Sequence, residues 1–293
     1  MNKKGIIYKA QKELYYVLSD EKSYKSKARG IFRDKNIKPL VGDQVEISIL
    51  SEDEALIVGV SERKSQLIRP PVANVDQIIL VLTLKSPNLN YTLLDKYLVM
   101  LEHFDLDLAI VFNKIDLINQ EEIDQLKSEY EKSSYKLFFT STIENLGVDE
   151  LKDQLAGKIS ALAGPSGVGK SSLINLISDS DRLLKTASIS SKTKRGRHTT
   201  RHTELFKIFE DTYILDTPGF SSLDLSFIED ENMLRNFYPE FVDLQDSCKF
   251  QNCQHIMEPS CAVKDAVSES RISKRRYQNY LLIREEIKKN RRY

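Results

Sequence analysis

The sequence predicts a multidomain protein with a small N-terminal β-barrel, a central α/β domain and a C-terminal helical domain. Short apolar runs fill the first 68 residues, strands alternate with amphipathic helices from about residue 72, and a Cys/His-containing helical region follows residue 220. A chain of 293 residues is long enough for two or three domains. We therefore expect domain boundaries of 1–68, 69–222 and 223–293.

The N-terminal segment is predicted to form five short strands. Aromatic and β-branched residues fill five apolar runs, and turn segments such as Val41-Gly42-Asp43 separate them. Basic residues lie within and between the runs: Lys22, Lys25, Lys27, Arg29, Arg33, Lys35 and Lys38. This combination favours the oligonucleotide-binding (OB-fold) barrel over an immunoglobulin-type sandwich.

Charge is distributed unevenly although the net charge is zero. Residues 1–40 carry eleven basic side chains against four acidic ones, and residues 264–293 carry ten against four. Residues 219–247 carry seven acidic side chains against one Arg. The basic ends are consistent either with RNA contact or with ordinary solvated faces.

Composition and hydropathy set the expected compartment. The sequence contains no run of 18 apolar residues, and its N-terminus lacks the pattern of a signal peptide. We expect a cytoplasmic protein without a membrane partner.

The central segment is predicted to form a parallel sheet covered by helices. Its strands and helices alternate from Gln77 to Ile177, which is typical of repeated βαβ units. The last two strands, Glu204 to Phe209 and Thr212 to Leu215, are expected to form a hairpin at the edge of that sheet.

A phosphate-binding loop is predicted where the strand Ile159 to Ala163 meets the next helix. The eight residues match the pattern G-x-x-x-x-G-K-[ST]: Gly164, Pro165, Ser166, Gly167, Val168, Gly169, Lys170 and Ser171. Backbone N–H groups of such a loop point at phosphates, and the helix N-terminus adds its dipole. Lys170 is expected to reach the β- and γ-phosphates, and the Ser171 hydroxyl to bind Mg²⁺.

Base selection is assigned to four residues at the end of another strand, Asn113, Lys114, Ile115 and Asp116. A carboxylate at Asp116 can accept from both the ring N1–H and the exocyclic amine of guanine, a donor pair that adenine lacks. Ser141 follows the next strand, where a guanine-contacting loop is expected. The sequence therefore predicts a guanine nucleotide site.

Two further segments are predicted to complete the chemistry. Asp216 follows a strand and is expected to hold Mg²⁺, while the N–H of Gly219 faces the γ-phosphate. The polar loop before them should supply a second metal-binding hydroxyl from Thr199 or Thr200. Phe220 stands where a water-orienting Gln could lie, so intrinsic hydrolysis should be slow; His198 is the nearest candidate for the missing group, although a surface histidine without a role explains it almost equally well.

The order of these motifs is rotated relative to Ras-type GTPases. The guanine motif at Asn113 precedes the phosphate loop at Gly164 instead of following it. Moving the chain termini within a compact domain leaves the same sheet, because termini of such domains often lie close together. The central domain is therefore predicted to be a circularly permuted α/β P-loop GTPase.

A structural zinc site is predicted near the C-terminus. The three cysteines of the chain and one histidine have the spacing C-x₄-C-x-H-x₅-C: Cys248, Cys253, His255 and Cys261. Three thiolates and one imidazole make a closed tetrahedral Zn²⁺ site without an open position for chemistry.

Taken together, these motifs resemble the RsgA family (YjeQ/YloQ), bacterial GTPases that depend on the small ribosomal subunit. The resemblance rests on the order of Asn113–Asp116, Gly164–Ser172, Gly196–Thr200, Asp216–Phe220 and the Cys/His cluster, all behind a barrel. It implies a late-acting assembly factor that binds the 30S subunit and its 16S rRNA, hydrolyses GTP under stimulation by the subunit, and then departs. We also expect Ser172 to take part in nucleotide binding and the protein to act as a monomer.

Two other functions remain to be separated from this one. The first is an RNA-binding module with a regulatory, non-hydrolysing guanine nucleotide site. Four intact residues argue against it: Lys170, Ser171, Asp116 and Asp216. An ATP-driven P-loop enzyme would not need Asn113 and Asp116.

Overall fold

The computed structural model describes residues 2–30, 32, 38–68, 71–133, 135–178, 203–216 and 223–290. Contacts divide the chain into two compact units. The first comprises Met1–Ile78, Asp149–Ala163 and Lys170–Ser221, and the second comprises Ile79–Val148, Gly164–Gly169 and Ser222–Tyr293. The domain boundaries 1–68, 69–222 and 223–293 stay predictions.

Five strands form a barrel in the first unit; one of their pairings is parallel and the others are antiparallel. The strands are β1 (Asn2–Gln11), β2 (Leu14–Ser19), β3 (Lys22–Ala28), β4 (Gln44–Ile49) and β5 (Glu54–Val60). They pair in the order β1-β2-β3-β5-β4, and β1 also pairs with β4, which closes the sheet. Alternate side chains point inward, as strand geometry requires, and fully bury Ile7, Val17, Ile47 and Ile57. The predicted five-stranded barrel is confirmed.

The same unit carries the hairpin that was expected at a sheet edge. After the short strands β6 (Gln66–Leu67) and β7 (Val72–Ala73), β11 (Ile159–Ala163) runs parallel to β13 (Thr212–Asp216), which pairs antiparallel with β12 (Glu204–Phe209). However, β12 is not an edge strand, because β1 pairs with it at Lys9 opposite Glu204. The edge prediction was wrong because a strand distant in sequence supplies the missing hydrogen-bond partners. Among the residues that the structure describes, this region also carries α4 (Lys170–Ile177), and α3 (Val148–Leu155) precedes it along the chain.

The second unit contains the other strands of the α/β region. β8 (Gln77–Thr83), β9 (Asp107–Asn113) and β10 (Lys136–Thr140) follow the order β10-β9-β8. β9 and β10 are parallel, with Thr140 opposite Asn113. Two helices connect them, α1 (Tyr91–Glu102) and α2 (Gln120–Tyr130). All seven residues of β8 are buried, which explains its uninterrupted apolar sequence.

The described part of residues 223–290 is helical, as the sequence predicts, and contains three α-helices. They are α5 (Pro239–Gln245), α6 (Ala262–Ser268) and α7 (Lys274–Asn290), preceded by a 3₁₀ turn at Glu231–Phe237. Their shared core is rich in aromatic side chains, including Tyr238, Phe241 and Tyr280. Val99 of α1 belongs to the same cluster. These helices therefore share a core with a helix of the α/β region.

A buried ion group lies beside this core. Arg276 of α7 is 1% exposed; it donates to Glu240 of α5 over 2.5 Å and to Asp95 of α1 over 2.6 Å. Its guanidinium also lies 5.0 Å from the ring centre of Tyr238. Burial raises the pKa of Asp95 to about 6 while Arg276 lowers it, so the carboxyl group is ionised at neutral pH. One cation thus joins three helices.

None of the helices within the described ranges combines the length and the apolar character needed to cross a bilayer.

Two ion pairs join α1 to α7: the buried pair Arg276–Asp95 and the more exposed pair Lys96–Glu286. We expect the buried pair to contribute far more to the free energy of unfolding. Arg276→Met leaves Asp95 and Glu240 buried without their cation, so the free energy of unfolding should fall by about 3–5 kcal/mol. Urea unfolding followed by circular dichroism measures this change.

The matched control is Glu286→Gln, which removes the pair between Lys96 and a half-exposed Glu286. It should cost less than about 1 kcal/mol, because water screens exposed pairs. Equal losses in the two variants would contradict the importance assigned to the buried cation.

Candidate nucleotide-binding and metal sites

Glycines shape the phosphate loop between β11 and α4. Gly164 and Gly169 have φ of 122° and 92°, a region in which L side chains are strained. A Cβ atom on Gly164 would lie 2.1 Å from the carbonyl oxygen of Val81, and one on Gly169 would lie 2.4 Å from Nδ2 of Asn113. Both positions therefore require glycine for conformation and for space.

Asn113 joins the guanine motif to the phosphate loop. It is the last residue of β9 and is 2% exposed. Its Nδ2 donates to the carbonyl oxygen of Val168 over 2.9 Å, while its Oδ1 accepts from the hydroxyl of Thr140 over 3.1 Å. Because the two side-chain atoms have different partners, the orientation of the amide is fixed by its surroundings.

Lys114 makes a second connection to the same loop. Its Nζ donates to the carbonyl oxygens of Ser86 and Gly167, over 2.5 and 2.8 Å. Ser86 belongs to the segment between β8 and α1, which lies at the carboxyl end of a strand like the other parts of the site. One ammonium group thus bridges two loops.

Asp116 is positioned by the segment after β10. Its Oδ1 accepts from the hydroxyl of Ser141 over 2.6 Å. Ser141 is fully buried and exchanges two backbone hydrogen bonds with Leu146. Asp116 itself is partly exposed. The structure therefore brings together Asn113, Lys114, Asp116, Ser141 and the loop Gly164–Gly169, while Ile115 lies in the 3₁₀ turn Ile115–Leu117.

The other predicted site residues are placed as follows. Pro165, Ser166 and Val168 lie within the phosphate loop, and Lys170, Ser171 and Ser172 form the first turn of α4. Burial lowers the pKa of Lys170. Asp216 ends β13. His198, Thr199, Thr200 and Gly219 lie outside the described residues, and their assigned roles stay predictions.

The four residues of the Cys/His motif converge in the second unit. Their ligand atoms lie within 4.8 Å of one another. The Nδ1 of His255 lies 3.3 Å from the sulfur of Cys261 and 3.7 Å from that of Cys248, and those two sulfurs lie 3.9 Å apart. Two thiolates on a tetrahedral Zn²⁺, each about 2.3 Å from the ion, would lie about 3.8 Å apart. The separation therefore fits zinc.

Protonation states at this cluster also suit a metal. Burial lowers the pKa of His255 to about 4, so its ring is neutral at physiological pH, as a ligand must be. Burial raises the pKa of Cys253 to about 12. A Zn²⁺ ion held by this cysteine would reverse that shift, because it would deprotonate the coordinating thiol. A structural Cys₃His site needs three cysteine sulfurs and one neutral imidazole, shielded from water, and this cluster supplies them.

Backbone carbonyls around the cluster are held from two sides. Tyr277 of α7 donates to the carbonyl oxygen of His255 over 2.7 Å, and Tyr280 donates to that of Gln254 over 2.9 Å. Arg235 donates to the carbonyl oxygen of Cys253 over 2.6 Å. Such second-layer bonds orient the ligands of a metal site.

Sequence reasoning missed two parts of these sites and the buried ion group beside them. Ser86 was not assigned, although its place after the buried strand β8 could have suggested it. The hydroxyl bond from Thr140 to Asn113 had no sequence signal, because it depends on the parallel register of β9 and β10. The buried pairing of Arg276 also had none, because a basic helix is ordinarily solvated.

Two family models match this chain. The model described as "RsgA GTPase" matches residues 60–226, and that described as "RsgA N-terminal domain" matches residues 4–57. A relative from Agathobacter rectalis, named small ribosomal subunit biogenesis GTPase RsgA, is 45% identical over 302 residues and covers 99% of both chains. A relative of the same name from Geobacillus sp. is 46% identical over 287 residues and covers 97% of both.

Solved structures agree with these sequence matches. YjeQ from Thermotoga maritima is 36% identical, with a TM-score of 0.81 over 98% of this chain and 99% of its own. YloQ, described as a circularly permuted GTPase, is 32% identical, with a TM-score of 0.79 over 99% of this chain and 96% of its own. These likenesses confirm the predicted fold class of barrel, permuted GTPase and helical Cys/His-bearing region. With one family model covering more than half of its length and relatives of that name matching it from end to end, the chain belongs to the RsgA GTPase family.

Proposed function

We propose that this protein is a GTPase that acts in the biogenesis of the small ribosomal subunit, as its relatives are named. The observation that supports guanine nucleotide chemistry is the joining of the two recognition segments. Asn113 and Lys114 donate to the phosphate loop, and Ser141 orients Asp116. A base bound by Asp116 would therefore be held at a fixed distance from phosphates bound by the loop.

Each site residue has a role in this proposal. Asp116 accepts from guanine, the N–H groups of Gly164–Gly169 and Lys170 bind the phosphates, and Ser171 binds Mg²⁺. Asp216 and Thr200 complete the metal site, and Gly219 donates to the γ-phosphate. Mg²⁺ would offset the negative charge that develops on the phosphate oxygens during transfer. His198 positions the attacking water. The small ribosomal subunit completes the catalytic site when it binds.

Hydrolysis is favoured over a purely regulatory nucleotide site by the residues of the phosphate loop. Lys170 opens α4 at the loop, and Ser171 follows it at the helix N-terminus. The relatives that match this chain from end to end are named GTPases, and the chain keeps the full set of phosphate- and metal-binding residues that hydrolysis needs. The regulatory, non-hydrolysing RNA-binding alternative is therefore not favoured.

We propose that the barrel contacts 16S rRNA. A cavity of about 870 Å³ opens there between the β1–β2 turn and the end of β3. Its lining combines cations with aromatic side chains: Lys12, Lys27, Arg29, Lys38, Tyr15 and Phe32. Cations bind the phosphate backbone, and OB-fold barrels bind oligonucleotides on this kind of surface. We propose that the protein binds the 30S subunit as a cytoplasmic monomer, with the barrel on rRNA.

The Cys/His cluster is proposed to hold one structural Zn²⁺. Cys248, Cys253, His255 and Cys261 would fill all four positions of the ion, so it would supply stability to the loop and no reactive site.

Asp116→Asn should change base preference. The amide would donate where guanine also donates, so GDP affinity should fall about 10- to 100-fold. Xanthosine diphosphate, which carries a carbonyl at that position, should bind better than GDP. Isothermal titration with both nucleotides measures the ratio.

Ser141→Ala serves as the matched control for this prediction. It removes the hydroxyl that orients Asp116 but keeps the carboxylate, so affinity should weaken while guanine stays preferred. Unchanged base preference in Asp116→Asn would contradict the role of Asp116 as the reader.

GTP turnover should rise at least about tenfold when purified small ribosomal subunits are added, because a bound partner completes the site. Ser171→Ala, which lacks the metal-binding hydroxyl, should stay inactive under both conditions. A triple variant of Lys12, Lys27 and Arg29 to Ala should keep the intrinsic rate and lose most of the stimulation. Equal wild-type turnover with and without subunits would overturn the assignment of the partner.

Removal of zinc should unfold the Cys/His segment locally. Purified protein should contain about one zinc ion per chain, and treatment with a strong chelator should raise amide hydrogen exchange across residues 248–261. Cys253→Ser should show the same raised amide hydrogen exchange across residues 248–261 without any chelator. Protection that survives chelation would indicate buried free thiols instead.

A further inference from the structure

Helix α7 contacts α1 at its first turns. The guanidinium of Arg275 lies 3.8 Å from the ring centre of Tyr91, the first residue of α1. The hydroxyl of Thr92 donates to Oδ1 of Asn279 over 3.0 Å. Asn279 also donates through Nδ2 to Asp95, over 2.6 Å. Consecutive turns of α7 thus fix the N-terminal end of α1 through polar contacts with directional geometry.

The N-terminal end of α1 continues directly into the nucleotide site. Residues 84–90, here called the entry loop, connect β8 to α1 and end at Asn90, whose side chain caps the helix by accepting from the N–H of Leu93. At the other end, the hydroxyl of Thr83 donates to the carbonyl oxygen of Pro87 over 2.8 Å. The entry loop is therefore tied to β8 on one side and to α1 on the other.

The entry loop supplies one of the two carbonyls that hold Lys114. Nζ of Lys114 donates to Ser86 of this loop and to Gly167 of the phosphate loop. A Cβ atom placed on Gly167 would lie 3.9 Å from Cδ of Pro87, which is ordinary van der Waals contact. A displacement of α1 would carry Ser86 with it and leave the ammonium group of Lys114 with one partner fewer.

From this chain of contacts we propose that Arg275 and Asn279 are positioning residues for guanine nucleotide binding. They act through Tyr91 and Thr92 of α1 on the entry loop, and through Ser86 on Lys114 and the phosphate loop. The described contacts of these two residues are with protein groups. The proposal rests on the GTPase assignment made above and adds a part of the chain that the nucleotide motifs do not include.

Other side chains of α7 attach this helix to the Cys/His loop. Tyr277 and Tyr280 donate to backbone carbonyls of the Cys/His loop, at His255 and Gln254. Residues 275, 276 and 279 therefore contact α1 while residues 277 and 280 contact the proposed zinc loop. Helix α7 thus connects α1 to the Cys/His loop, which the proposed Zn²⁺ would cross-link.

Thr92 offers a matched pair of variants with which to test the proposal. Thr92→Val keeps the shape of the side chain but removes the donor to Asn279, whereas Thr92→Ser keeps the donor. Arg275→Ala is the second probe, since Arg275 is about one-third exposed. The variant also removes the ion pair of Arg275 with Glu129 of α2, over 3.2 Å, so its stability is measured beside its release rate. Arg276 is avoided as a probe because its removal leaves two buried carboxylates unpaired.

The control is the pair Lys96–Glu286, which also joins α1 to α7 but lies beyond the first turn of α1. Glu286→Gln removes that pair and leaves the contacts with Tyr91 and Thr92 in place. It thus tests whether any loss of an α1–α7 contact has the same effect.

The measurement is stopped-flow release of a fluorescent GDP analogue from the full chain with Mg²⁺, together with the unfolding midpoint of each variant. Thr92→Val and Arg275→Ala should release GDP about fivefold faster or more, with association rates changed less than about threefold. Thr92→Ser and Glu286→Gln should stay within about twofold of wild type.

Each remaining outcome overturns the proposal in a recognisable way. Wild-type release rates in Thr92→Val and Arg275→Ala, with lowered unfolding midpoints, would show that these contacts only stabilise the fold. Equal acceleration in Glu286→Gln would show that the whole α1–α7 contact matters and not its first turns. Failure of the wild-type protein to bind GDP would contradict the proposed function itself, which is a separate result.

Discussion

The side-chain amide of Asn113 is the interaction on which the nucleotide site depends. It donates to the phosphate loop and accepts from Thr140, so a single buried group relates three segments that are distant in sequence. The nearby Gly169 has no room for a Cβ atom because Nδ2 of Asn113 occupies that space. Buried amides of this kind are constraining because each unpaired atom would carry a desolvation penalty. The order of the segments along the chain does not matter to this bond, which is why a rotated order can build the same site.

Much of the architecture could be predicted because local signals were strong. The apolar run of β8, the glycines at 164 and 169, and the spacing of the three cysteines each have one dominant physical explanation. The strand–loop–helix context of the phosphate loop was visible without any tertiary information. The barrel was predictable from alternating strands and turns. The prediction that it binds oligonucleotides rested on the basic residues within and between those strands.

The parts that escaped prediction all depend on contacts between distant segments. Pairing of β1 with β12 cannot be seen from either strand, since both simply show strand patterns. Ser86 acts through its backbone carbonyl, which every residue possesses, so side-chain chemistry gave no indication of it. Arg276 is one of several basic residues in α7, and only the facing positions of Asp95 and Glu240 make it a buried ion. Sequence shows which groups are available, whereas tertiary structure decides which of them lose water.

The pairing of β1 with β12 links the barrel to the hairpin that ends at Asp216. Across this pair, Nζ of Lys9 lies 3.1 Å from a carboxylate oxygen of Glu204, and the strands on both sides are hydrogen-bonded. A chain shortened by loss of its barrel would leave the outer backbone groups of β12 open to solvent. Open strand edges of that kind recruit other strands and lead to aggregation. The barrel therefore also covers the edge of β12 where β1 pairs with it, so we expect a chain without the barrel to be less soluble.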